Sequence, residues 1–178
     1  MPARRAGSDR PRPGKAARLS AARLAAVQAL YQMEMTGAAI EDVLAEFLRY
    51  RRRGVLDRNE TPVPPKSALF TEILRGTTVR REEIEDILRA ALNPSWPLER
   101  IEVLLACILR AGVFELLGRP ATPARVAVSE YVDLADAFYD VAEKGMANAV
   151  LDRVARRLRG DEFTESGGPA GARAAAAG

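Results

Sequence analysis

Ile101, Leu104, Leu105, Ile108, Leu109, Gly112 and Leu116 fall at i, i+3, i+4, i+7, i+8, i+11 and i+15. That period gathers into one apolar stripe on an α-helix, whereas a strand would scatter it over both faces. Pro97 to Leu117 is therefore expected to form the central helix of an all-α core.

Similar spacing recurs through the body. Ser20 as N-cap and Gly37 as stop delimit a first helix with Leu24, Val27, Leu30 and Tyr31 on one face. Ile40, Val43, Leu44, Phe47 and Leu48 mark a second helix over about 40–52, with the basic run Arg49 to Arg53 at the end favoured by the helix dipole. Gly54 to Pro65 reads as a loop. A third helix over 66–79 carries Leu69, Phe70, Ile73 and Leu74. A fourth over 81–92 carries Ile84, Ile87, Leu88 and Leu92, and Asn93-Pro94 ends the pair. Thr122 and Pro123 read as N-cap and first turn of a sixth helix burying Val128, Tyr131, Val132, Ala135 and Phe138. A seventh over 144–159 buries Ala147, Val150, Leu151, Val154 and Leu158. No Asn-Gly or Asp-Gly hairpin signal and no fixed-period repeat interrupts the pattern.

With 178 residues, 48% of them apolar, one globular domain with its own core is expected. The longest apolar run, Val103 to Leu109, is far shorter than the roughly 20 residues of a membrane-spanning helix. Residues 1–18 lack the apolar stretch of a secretory signal, so a cytoplasmic location is expected. Cys107 is the only cysteine, and without an adjacent His it reads as a small packing residue. The chain has no His, which removes His-based triads, imidazole metal ligands and the usual proton-transfer group near neutral pH. Most familiar hydrolases are thereby excluded, and without Cys-x-x-Cys, Gly-x-Gly-x-x-Gly or a Walker loop nucleotide binding has no support and no cofactor or metal is expected.

Charge is distributed unevenly. Arg4, Arg5, Arg10, Arg12, Lys15, Arg18 and Arg23 face only Asp9, giving the first 23 residues a net +6 while the rest carries −3. Residues 1–19 are read as a basic, disordered arm with a polyanionic partner, or alternatively as a solubilising tail. Residues 160–178, whose only large apolar residue is Phe163, are read as a disordered tail. The acidic clusters Glu82, Glu83, Glu85, Asp86 and Glu130, Asp133, Asp136, Asp140 fit solvated helix faces better than a cation site. Glu115 differs, because it falls inside the apolar arc of the fifth helix and needs a partner. Two readings are open: a structural acid satisfied by a backbone N–H or an Arg, or an acid at the rim of a binding groove.

Four blocks in order carry a resemblance: Ala-Arg-Leu-Ala-Ala-Val-Gln-Ala-Leu-Tyr-Gln at 22–32, Ile-Leu-Arg-Ala-Gly-Val-Phe-Glu-Leu at 108–116, Pro-Ala-Arg-Val-Ala-Val-Ser-Glu-Tyr-Val-Asp-Leu-Ala at 123–135, and Asn-Ala-Val-Leu-Asp-Arg at 148–153. Together they resemble the NusB family of transcription antitermination factors, over roughly residues 20–158. The resemblance implies an all-α fold of two small helical bundles, about seven helices in all. It implies pairing with NusE, a small-subunit ribosomal protein, and binding of single-stranded boxA RNA in nascent ribosomal RNA. The complex then joins the RNA polymerase antitermination assembly and suppresses termination.

By the same resemblance, RNA contacts fall on the arm, the start of the first helix and the loop entering the last, here Lys15, Arg18, Arg23 and Gln28 with Met146 and Asn148. Tyr31 is either a core aromatic or, as the resemblance suggests, near the NusE contact. Two departures stand out. The family commonly has Phe-Val-Asn-Gly where this chain reads Met146-Ala147-Asn148-Ala149, and Asn-Glu where it reads Ser129-Glu130. Loss of the aromatic ring at 146 removes a stacking platform and predicts weaker or altered boxA recognition. The alternative is thus a NusB-fold protein-interaction module with weakened or lost boxA binding. An rRNA methyltransferase with a NusB-like domain is disfavoured by the missing Gly-rich segment.

Overall fold

The computed structural model describes residues 13–50, 55–56 and 62–164. Its helices are α1 (Lys15–Thr36), α2 (Ile40–Tyr50), α3 (Ser67–Val79), α4 (Arg81–Ala91), α5 (Val103–Gly118), α6 (Ala124–Phe138), α7 (Val141–Leu158) and the single turn α8 (Asp161–Thr164). The all-α expectation holds, with one small addition. Val55–Leu56 (β1) pairs antiparallel with Pro62–Val63 (β2) within the segment expected to be loop. The expected basic arm and C-terminal tail fall largely on residues 1–12 and 165–178, outside the described residues.

The central role expected of the fifth helix is borne out. Every residue of α5 from Leu105 to Leu109 and from Ala111 to Leu116 is buried, and α5 packs against α1, α3, α4, α6 and α7. On one side α1 lies against α2 and α3; on the other, α6 and α7 pair with each other and with α5, which is shared by both groups. Small residues allow the close approach of α1, whose buried face is Ala22, Ala25, Ala26 and Ala29 with Val27 and Leu30. Phe47 of α2 stacks on Phe70 of α3 at 5.2 Å between centroids. Gly37 ends α1 at φ 69°, the left-handed conformation that favours Gly there.

Four element ends differ from expectation for a local reason, and α7 also starts at Val141, three residues ahead of expectation. The first helix starts at Lys15 rather than after Ser20, so residues 15–19 of the expected arm are helical. Lys-Ala-Ala-Arg-Leu are all good helix formers, and Ser20 donates its hydroxyl back to the Ala16 carbonyl instead of capping. The fifth helix begins at Val103, not Pro97, because Leu98–Arg100 forms a separate 3₁₀ turn and the Glu102 carboxylate accepts from the Leu104 and Leu105 amides as N-cap. At α6 the N-cap is Pro123, not Thr122. The buried Ala124 amide, free at the helix start, is instead satisfied by Glu162 of α8 at 2.7 Å. That bond, together with Phe163 lying 4.9 Å from the Arg125 guanidinium and 4.8 Å from that of Arg156, fixes residues 161–164 of the expected tail as a helical turn.

Candidate nucleic-acid interface

The first turn of α1 presents two cations. Lys15 and Arg18 are exposed; Arg18 donates Nε to the Pro64 carbonyl at 3.3 Å, and its own carbonyl accepts from the Lys66 amide at 3.0 Å. The strand segment therefore buttresses the start of α1, leaving most of the Arg18 guanidinium to solvent. Gln28 is also exposed, nearly three turns past Arg18 on the same helix.

Arg23 requires a correction, because it is only 3% exposed and cannot face RNA from there. Its Nε and Nη2 donate to the Glu115 carboxylate at 2.9 and 2.7 Å, a bidentate pair between α1 and α5. Glu115 also accepts from the Thr122 hydroxyl at 2.9 Å and the Tyr131 hydroxyl at 3.0 Å, and Glu130 lies 3.4 Å from Arg23. Of the two readings of Glu115, the structural acid paired with an Arg is the one observed. Burial alone would push the Glu115 carboxyl up, but the Arg23 hydrogen bonds and charge, with Thr122 and Tyr131, hold it below the usual carboxylate range. Burial and the Glu115 charge drive the Tyr131 phenol well above its ordinary value, so it stays a donor. The pair closes α1 onto α5 and α6 from beneath the α1 surface.

On α7, Met146 is half-buried against the core and Asn148 is exposed. Asn148 lines an open groove with Arg125, Val128 and Ser129 of α6 and with Asp152 and Phe163. The sequence-expected residues thus form two sets, on α1 and α7, which no hydrogen bond or ion pair joins among the described residues. Tyr31 is half-buried, packed on the core rather than fully enclosed. Missed from the sequence were the groove's Arg125 and its aromatic wall, Phe163. The signal was present in the isolation of that Phe within a small, polar tail. Glu85, from one expected acidic face, is instead tied to Arg81, Arg89 and Arg110. No described helix is long and apolar enough to cross a membrane.

Comparison with known proteins agrees with this architecture. Residues 20–156 match the model of the NusB family. A protein of Bradyrhizobium diazoefficiens named transcription antitermination protein NusB is 48% identical over 149 residues, covering 84% of this chain and 90% of that one. A NusB of the same name from a second Bradyrhizobium strain is 49% identical over 159 residues, covering 89% and 92%. Among solved structures, NusB of T. maritima superposes with a TM-score of 0.65 at 24% identity, covering 82% of this chain and 96% of that one. A crystal structure of antitermination factors NusB and NusE in complex with dsRNA matches with a TM-score of 0.64 at 20% identity, covering 81% and 99%.

Proposed function

The chain belongs to the NusB family, and from that membership we propose that it works with NusE to bind boxA RNA of nascent ribosomal RNA transcripts. It is a transcription antitermination factor, not an enzyme. The carrying observation is near-half identity to proteins of that name along most of both chains. In this reading the protein acts in the cytoplasm, within the RNA polymerase antitermination complex. Lys15 and Arg18, continuous with the basic arm, supply phosphate contacts whose strength falls with salt and carries no sequence information. Gln28, Met146 and Asn148 lie on surfaces that serve base contacts, and Tyr31 is assigned to the NusE side. Arg23 acts beneath this surface, by fixing α1.

The test is fluorescence anisotropy with a boxA RNA and a scrambled control, with and without NusE, across a salt series. Preference for boxA, tightening by NusE and a salt dependence that shrinks on removal of residues 1–14 support the proposal. Equal, weak binding of both RNAs even with NusE present overturns it.

A further inference from the structure

Trp96, the chain's single tryptophan, is 46% exposed. Its backbone holds it there. The Trp96 amide donates to the Asn93 carbonyl at 2.8 Å, the Ser95 amide donates to the Asn93 side-chain oxygen at 2.9 Å, and Pro94 and Pro97 stiffen the turn. Leu98, buried in the core, anchors the next turn. A ring displayed on so constrained a loop loses little conformational freedom when something binds to it.

Trp96 lines an open groove of about 280 Å³ with Ser95, Pro97, Arg100 and Ile101. That is below the roughly 300–1,000 Å³ of pockets enclosing small molecules, and suits one planar group laid against the indole. Arg100 is exposed, and while its amide donates to the Pro97 carbonyl at 2.9 Å, its guanidinium makes no hydrogen bond or ion pair among the described residues. Nearby carboxylates are engaged elsewhere: Glu99 with Arg89, and Glu102 with the α5 amides and the Tyr139 hydroxyl. An exposed indole beside an uncommitted guanidinium is suited to a single-stranded nucleotide, whose base stacks while its phosphate meets the cation.

The loop's position supports that ligand. Arg153 of α7 donates to the Ala91 carbonyl at one end of the loop, and the Tyr139 hydroxyl, just before α7, donates to Glu102 at the other. The loop is therefore tied at one end to α7, the helix that carries Met146 and Asn148, and at the other to the residue just before that helix. We infer that Trp96 and Arg100 form a base-stacking site for single-stranded RNA, supplying the aromatic platform that position 146 lacks. This rests on the RNA-binding reading above.

The experiment follows Trp96 emission of the full chain during titration with boxA RNA and a tryptophan-free NusE, alongside anisotropy for Trp96→Ala, Trp96→Phe and Arg100→Gln. The site predicts quenching on RNA addition and roughly 5- to 150-fold weaker RNA binding by Trp96→Ala, largely restored in Trp96→Phe. Arg100→Gln lowers the logarithmic salt slope by about 0.7. Native-like circular dichroism and thermal midpoints separate these effects from misfolding, and the native-chain quenching needs no variant. Unquenched emission with an unchanged salt slope in Arg100→Gln overturns the inference. So does a loss confined to NusE affinity measured without RNA, which makes the groove a protein contact. If the native chain binds no boxA RNA, the RNA-binding reading falls and takes this inference with it. If it binds and Trp96→Ala binds equally well, only the inference falls.

Discussion

Replacing Glu115 by Gln removes one charge from the most enclosed polar cluster while keeping its shape. Glu115 is fully buried and Arg23 nearly so, with two hydrogen bonds of 2.9 and 2.7 Å between them. A Gln can accept from one guanidinium N–H but turns its own donors toward the other. Arg23 is left buried with an incomplete counter-charge. Breaking such a pair from one side costs about 3–5 kcal/mol. Glu130, 3.4 Å from Arg23 and partly solvated, offers a second carboxylate, which places the expected loss near the lower end, about 3 kcal/mol. With a urea m-value of about 2 kcal/mol/M, the midpoint falls by about 1.5 M at unchanged m. Arg23→Gln also destabilises, and the double variant loses less than the sum of the two because neither charge is then stranded. The sign of the pH effect follows from the lowered carboxyl. A depressed folded-state value gives stability that is present above the unfolded-state value and lost as pH falls through the folded one. The native chain therefore loses this contribution on acidification below about pH 4.3, and Glu115→Gln shows a correspondingly shallower acid loss. A midpoint shift worth less than about 1 kcal/mol, or additive single variants, would refute the reasoning.

Gly76→Ala forces a methyl to within 2.0 Å of the Phe114 ring, which is itself buried and can yield only by repacking its neighbours. Overpacking of this kind costs about 1–3 kcal/mol, read as a thermal midpoint several degrees lower. Burial pushes the Cys107 thiol up to about 11, so a thiol reagent at pH 8 labels the native chain far more slowly than the urea-unfolded one; equal rates contradict the packing seen here. Lys15→Gln and Arg18→Gln each lower the logarithmic salt slope of RNA binding by about 0.7, and an unchanged slope removes that residue from the phosphate contacts. Met146→Phe restores a ring on the half-buried α7 position and tightens boxA binding, whereas equal affinity means position 146 is not a stacking site.

What the sequence could disclose depended on how local the cause was. The stripe of α5 lies within one helix, so its spacing alone identified the core element. The start of that helix did not follow, because Ile101 keeps the apolar spacing while Glu102, a less familiar cap than Ser or Asp, breaks the backbone pattern. The N-terminus of α1 was obscured by its basic residues: charge grouped Lys15, Arg18 and Arg23 into one arm, although all three lie on one helix and the last points inward. The evidence against that grouping lay 92 residues away. A carboxylate in the apolar arc of α5 demands a buried cation, yet spacing cannot say which of the chain's many Arg residues supplies it. Trp96 poses the converse problem, since a lone Trp between two prolines gives no periodicity from which to infer burial or exposure. Its environment is set by the turn at Asn93 and by the ties from Arg153 and Tyr139, contacts that exist only once α6 and α7 have folded over the loop. Both revisions bear on the proposed RNA reading. Removing Arg23 from the RNA-facing cations leaves the α1 set with Lys15, Arg18 and the arm, which can supply affinity but little base discrimination. On the proposed reading discrimination then falls to the α7 side, where a Met stands in place of a ring, and to the exposed Trp96 on the loop whose ends are tied to Arg153 and Tyr139.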